Sequence, residues 1–167
     1  MPELPDVEVM RDYVERTALH SPIVSVEIRS ARIVRTTSAS AVSKAVRGRR
    51  FVDTGRHGKY LFLCTDGDVW IALHFGMTGS VARVNASATE PRHTRALFAF
   101  DDDTALAYVC VRLLGNIFLT KSPSDFTARR GLGPDAVNVD PDGLGVIFAH
   151  SRATVKSTLM DQERLAG

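Results

Sequence analysis

The chain has 167 residues, 44% of them hydrophobic and 24% charged, which is a globular composition for one ordinary domain, or for one domain with an appendage, and excludes a disordered chain. Lys plus Arg is 21 and Asp plus Glu is 19, a net charge of +2, which excludes a highly basic tail protein but not a nucleic-acid binder, whose charge matters by placement. Two cysteines, Cys64 and Cys110, are too few for a four-thiolate zinc site and argue against a disulfide framework. The start Met1-Pro2-Glu3-Leu4-Pro5-Asp6 is not a secretory signal, and no apolar run approaches the ~20 residues that span a bilayer. A reduced, cytoplasmic protein is the expectation.

The first element reads as a helix. Val7, Met10, Val14 and Ala18 fall at helical spacing, Pro5 suits its first turn, and Asp6 and Glu8 suit its dipole. The helix is expected to end near Leu19 to Pro22. Strand-like sequence follows over Ile23 to Ile28 and Ala31 to Thr36, and Ala39 to Val46 reads as a short helix. From Arg50 the pattern is β. Lys59 to Thr65 and Val69 to His74 flank Asp66-Gly67, a hairpin signal. Arg95 to Phe100, Ala105 to Val111 and Asn116 to Thr120 are further strands, with a turn at Asp101 to Asp103. Closely spaced strands entered through one helix suggest a β-sandwich or barrel with an appended helix. Leu132-Gly133-Pro134 reads as a boundary, and helices are expected over Pro141 to His150 and Ala153 to Leu165, with Val155, Leu159 and Met160 as the apolar face of the second. Two helices cannot close a core of their own.

The first chemical signal is Pro2-Glu3. Removal of Met1 would expose the secondary amine of Pro2. An α-amino group titrates near ~7.7–8.0, well below the ~10.4 of lysine, so such an amine is nucleophilic at neutral pH. Attack on an aldehyde-level carbon gives an iminium ion, and Glu3 could serve as acid or base. Taken alone, Pro2-Glu3 reads first as a helix lead-in. Lys59 follows a glycine-flanked loop and can reach a phosphate, or is a solvated lysine at a strand start. His74 ends an alternating apolar strand and reads as a satisfied edge histidine. Met77 lies in a glycine-rich loop, where an exposed apolar side chain can wedge into a base stack; elsewhere such a residue would be core. Arg112 is a second wedge, or a surface arginine. His93 and Arg95 are phosphate contacts or solvated loop residues.

The ordered set MPELPDVE, GRHGKYL (Gly55 to Leu61), HFGMTGS (His74 to Ser80), VRLLG (Val111 to Gly115), LGPD (Leu132 to Asp135) and KSTLMDQERLAG (Lys156 to Gly167) resembles the formamidopyrimidine-DNA glycosylase / endonuclease VIII family of base-excision repair enzymes. Leu4 favours the formamidopyrimidine branch. The resemblance implies an α+β fold: an N-terminal helix plus an antiparallel β-sandwich over 1–133, then C-terminal helices over 134–167 that begin a helix–two-turn–helix domain. It implies a bifunctional DNA glycosylase/AP lyase acting on oxidised purines such as 8-oxoguanine and formamidopyrimidine. Pro2 is then the Schiff-base nucleophile, Glu3 the acid and Lys59 the phosphate-contacting lysine of the catalytic set. His74, Met77, His93, Arg112 and Leu114 become DNA contacts, and double-stranded DNA with damaged bases or abasic sites the partner. It further implies no metal or cofactor in this chain, the family's zinc finger lying beyond it, and a bacterial, nucleoid-associated location. Cys110, Leu113 and Leu114 depart from the family's acidic, basic and phenylalanine positions. Leucine fills volume where an aromatic would stack on the opposite base. The chain reads as stopping inside the second domain, with self-association through the incomplete helices a possible consequence. The alternatives are a non-catalytic module binding damaged or abasic DNA, and an inactive remnant.

Overall fold

In the computed structural model, which describes residues 1–85, 89–149 and 151–167, the first helix, α1, spans Leu4–Ala18. Pro5 sits in its first turn, and the Asp6 carboxylate accepts the Glu3 N–H at 2.8 Å, so an otherwise orphaned donor is satisfied where the helix begins. Val7, Val14 and Ala18 are fully buried. Strands β1 (Ile23–Ile28) and β2 (Val34–Arg35) follow, with a 3-10 turn at Ala31–Ile33 where the sequence suggested continuous strand. Helix α2 (Ala39–Val46) is capped by the Ser38 hydroxyl, which accepts the Ala41 N–H.

Seven more strands complete two sheets: β3 (Phe51–His57), β4 (Tyr60–Thr65), β5 (Trp70–His74), β6 (Gly79–Asn85), β7 (Thr94–Phe100), β8 (Thr104–Cys110) and β9 (Asn116–Thr120). One sheet has the order β1-β7-β8-β6, the other β2-β9-β5-β4-β3. All pairings are antiparallel except the two-residue contact of β2 with β9. The sheets face each other across one core: Ile23, Phe98 and Leu106 from the first meet Phe51, Leu61, Ile71 and Ile117 from the second. Phe51 and Phe98 touch edge-on, with centroids 5.7 Å apart. Each such side chain contributes about 1.5–3 kcal/mol on burial. The expected sandwich with an N-terminal helix is therefore the architecture found.

The outer face of the five-stranded sheet is also covered. Helix α3 (Pro123–Arg129) lays Phe126 against Phe62, Ala72 and Phe118. This is why β4 reads as an unbroken apolar run, since it is buried on both faces. Helices α4 (Pro141–Ala149) and α5 (Val155–Met160) follow. The end expected for α4, His150, lies outside the described residues. The helix expected over Ala153 to Leu165 is shorter than its pattern. It stops at Asp161, whose carboxylate accepts the Glu163 N–H (3.0 Å) and the Arg164 Nε–H (3.2 Å). The chain then turns to run beside Pro134–Ala136, where the Ala166 N–H donates to Pro134 O and the Ala136 N–H to Ala166 O. Leu165 and Ala166 are buried there, while Val155, Leu159 and Met160 stay exposed.

Candidate active site and nucleic-acid interface

The start of α1 and the β3–β4 hairpin meet at one cleft. Glu3, the residue capping α1, places Oε2 2.5 Å from Lys59 Nζ, at the start of β4. The cleft encloses about 370 Å³ and is lined by Met1, Glu3, Lys59 and His74 on one side and by Leu159, Met160, Gln162 and Gly167 on the other. Pro2 is half-buried between Met1 and Glu3. Of the three residues expected to carry the chemistry, Glu3 and Lys59 are thus brought together with His74, and Pro2 adjoins Glu3 in the chain. The C-terminal wall was not anticipated: Leu159 and Met160 face this cleft, and Gln162 bonds the Gly167 backbone at both its N–H and C=O.

What fixes this wall is a buried ion-pair network. Arg56, on β3, donates from Nη1 and Nη2 to Asp135 at 2.6 and 3.1 Å and from Nε to Glu8 of α1 at 2.6 Å. The Arg56 side chain is only 9% exposed and that of Asp135 4%. Burial works against ionisation of Asp135, yet the Arg56 bonds and the N–H groups of Gly58 and Val137 outweigh it and hold the carboxyl below its usual range. Burial likewise opposes, and the Arg56 and Arg11 bonds reverse, the shift at Glu8, whose carboxyl is also held low. Gly58 completes the junction. It has φ +53°, and a Cβ there would lie 2.9 Å from the Ala166 Cβ, so only glycine lets the loop approach the C-terminal segment. His57 Nε2 meets Gly133 O at 2.9 Å. Arg56, Asp135 and Glu8 therefore join α1, the Lys59 loop and the last residues into one frame.

His74 ends β5 at the rim of the cleft. Its ring packs on Tyr60 at 5.0 Å, and its Nδ1 accepts the Gly76 N–H at 3.3 Å. A nitrogen that accepts carries no proton, so the proton of the neutral ring sits on Nε2, free to donate. Burial, then the charges of Arg130 and Lys59, push the His74 pKa down, so the ring is a neutral donor at pH 7.

Beyond His74 two loops form an exposed tip. Gly76 (φ +59°) lies so close to the second loop that a Cβ would come within 2.6 Å of the Leu114 carbonyl carbon. Arg112 Nη1 reaches Met77 Sδ at 3.3 Å. Met77 is 43% and Leu114 48% exposed, so both expected insertion residues and the volume-filling leucine project from one place. Cys110, buried, accepts the Gly115 N–H on Sγ at 3.3 Å and so braces the second loop from beneath. Arg95 is differently employed: its guanidinium donates to the carbonyls of Cys110 and Val111, also supporting the tip. His93 sits alongside, its Nδ1 3.4 Å from Arg95 Nη2 and its backbone carbonyl accepting the Cys110 N–H.

Among the described residues, no group of three or more His, Cys, Asp or Glu side chains could hold a metal ion. Cys64 and Cys110 lie in different sheets and do not fit a zinc site. No helix of the described residues is long and apolar enough to cross a membrane.

Comparison with known proteins shows the family and the fold. Residues 1–117 match the family model of the formamidopyrimidine-DNA glycosylase N-terminal domain. The whole chain aligns with the formamidopyrimidine-DNA glycosylases of Heliobacterium modesticaldum (33% identity, 63% of that protein) and Acidothermus cellulolyticus (35% identity, 61% of that protein). It therefore spans somewhat over three-fifths of the length of these relatives. In structure, 99% of the chain superimposes on 65% of the Lactococcus lactis formamidopyrimidine-DNA glycosylase non-covalently bound to DNA containing an AP site, with TM-score 0.89 and 26% identity. The wild-type enzyme from the same organism, in complex with DNA containing N7-benzyl-Fapy-dG, gives the same TM-score, again at 26% identity.

Proposed function

The chain belongs to the formamidopyrimidine-DNA glycosylase family, and from that membership we propose that it acts in base-excision repair as a DNA glycosylase with AP lyase activity on oxidised purines in duplex DNA, in a bacterial cytoplasm. The observation that carries the reading is the meeting of Glu3, the neighbour of Pro2 in the chain, with Lys59 and His74 at one cleft, beside an exposed Met77–Arg112 tip.

In the proposed reaction the tip enters the duplex and the damaged nucleotide turns outward, at a cost of a few kcal/mol in stacking. Lys59 and the His74 Nε2–H hold backbone phosphates. The Pro2 nitrogen of a chain lacking Met1 bonds to the sugar C1′, and the base departs with the electrons of the glycosidic bond and takes up a proton. The nitrogen sheds its own proton, for which Glu3 is the acceptor. Its lone pair then opens the ring, and Glu3 returns the proton to O4′. The iminium that results draws electrons from C2′, whose proton is lost as the 3′ phosphate leaves; the conjugated iminium then acidifies C4′, whose proton is lost as the 5′ phosphate leaves. Water releases the sugar fragment and restores the amine. Covalent amine chemistry of this kind requires no metal.

Met1 supports a second reading. Where it is retained, Pro2 is an amide and the protein binds damaged or abasic DNA without cleaving it. Borohydride trapping on an abasic-site duplex separates the two. The chain beginning at Pro2 is expected to form a covalent adduct, and Pro2→Gly to lose most of it. Full trapping with Met1 in place would assign the nucleophile to another amine, a lysine or the Met1 α-amine, and refute the proline mechanism.

A further inference from the structure

The outer face of the five-stranded sheet carries arginines that the reaction above does not use. Tyr60, His74 and Asn116 form one cross-strand row at the cleft end of this face. Behind them, Phe126 of α3 packs edge-on against Tyr60, Phe62 and Phe118, at 4.9, 5.4 and 5.1 Å. Arg130, the residue that ends α3, lies over this cluster. Its guanidinium carbon is 5.6, 5.2 and 5.6 Å from the ring centres of Tyr60, Phe118 and Phe126. Three rings hold the cation by their faces while its edge remains exposed.

The neighbouring charges make the arrangement unusual. Arg129 is tied to Asp125 at 3.0 Å. Among the described residues Arg130 meets no carboxylate within ion-pair distance, and Arg35, on the adjoining edge strand, donates only to the amide oxygen of Asn116, at 2.7 Å. Arg130 and Lys59 also stand near enough to His74 for both charges to oppose its protonation. Lys59 has Glu3 as its counter-charge, whereas Arg130 has none among the described residues, and an anionic ligand stabilises a cation left uncompensated beside others. Guanidinium groups suit a phosphate in particular, because their parallel N–H groups can meet two of its oxygens.

We propose that Arg130, with Arg35 beside it, binds a backbone phosphate of duplex DNA, extending the phosphate track from Lys59 and His74 across the outer face of the five-stranded sheet. This rests on the DNA-acting function proposed above. The bland alternative is that Arg130 merely lids the aromatic cluster.

Salt-dependent binding of the full chain distinguishes them, measured by fluorescence anisotropy on a duplex with a tetrahydrofuran abasic analogue and on the same duplex undamaged. Arg130→Gln should weaken both several-fold and lower the slope of log K against log[salt] by roughly 0.9, one phosphate's worth. Arg130→Lys should restore the slope, and Arg129→Gln should leave it unchanged. Should Arg130→Gln fold poorly, phenylglyoxal modification of the unaltered protein supplies the same test: saturating duplex should protect Arg130 and not Arg129. An unchanged slope accompanied by a lowered Tm, or no protection by DNA, would make Arg130 a lid and overturn the proposal. If the unaltered chain bound neither duplex, the DNA-acting function itself would fail. If it bound both with no Arg130 signature, only this site would fall.

Discussion

The cleft and the tip are built on opposite principles. Around the cleft, side chains are held by charge: Glu3 on Lys59, and Arg56 between Glu8 and Asp135. The Arg56 partners come from α1 and from a segment 79 residues away. At the tip, rigidity comes from backbone proximity at Gly76 and from the carbonyl bonds of Arg95, and the projecting side chains are left exposed. Chemistry at a sugar carbon needs groups fixed to fractions of an ångström. Insertion into a base stack needs apolar surface waiting in water. On the function proposed above, the two demands call for different sources of order, and the cleft and the tip would meet them in neighbouring places.

The largest effect expected from breaking this contrast is on the clamp. Asp135→Ala leaves Arg56 with one carboxylate instead of two in a buried site, and should cost about 3 kcal/mol in denaturant unfolding. Acid should do the same to the unaltered protein. The Asp135 carboxyl is held low in the folded state, so its contribution is whole above the unfolded value of about 3.9 and is lost as pH falls through the lower folded value. Asp135→Asn should flatten the pH dependence of Tm below about pH 4; an equally steep curve would remove Asp135 as its source. Next in size is Met77→Ala. Stability should change by no more than about 0.5 kcal/mol and binding to undamaged duplex should hold, while base removal in single-turnover assays falls on the order of tenfold, about 1.4 kcal/mol in the eversion step. Equal loss of binding on damaged and undamaged duplex would contradict the wedge. The smallest effect belongs to Lys59→Ala, read as binding to duplex without a lesion. It should weaken lesion and intact duplex alike by a few-fold and lower the salt slope by roughly 0.9. A loss confined to lesion DNA would place Lys59 at the reacting sugar only.

Much of this was legible in the sequence where local rules suffice. Helix α1 carries its apolar spacing and its proline, and the bounds of α2 and of the Asp66-Gly67 hairpin follow from caps and turn residues. Strand β6 left no signal because it is an edge strand whose residues from Ser80 to Val84 are all half-buried, so no alternation develops. Helix α3 was missed although Ser122-Pro123 announces it, the Ser122 hydroxyl accepting the Asp125 N–H. Of the candidate site, Pro2, Glu3, Lys59 and the tip residues were singled out through motifs. Asp135 was visible only as part of a boundary, because its partnership with Arg56 exists in space and not in spacing. Arg130 resembled any other surface arginine until three rings from three elements came together beneath it.

Helix α1 has one further consequence. Its rotation about its own axis is set by Val7, Val14 and Ala18, all fully buried, and Pro2 stands five positions before the first of them. On the proposed proline mechanism, the direction in which the amine leaves the helix is thus written as a residue count. One residue inserted between Glu3 and Val7 would carry the amine about 100° around the axis and about 1.5 Å along it, away from Lys59, with every side chain of the cleft unchanged. The start of this protein works as a gauge, tolerant of substitution at its exposed positions and intolerant of any change in length.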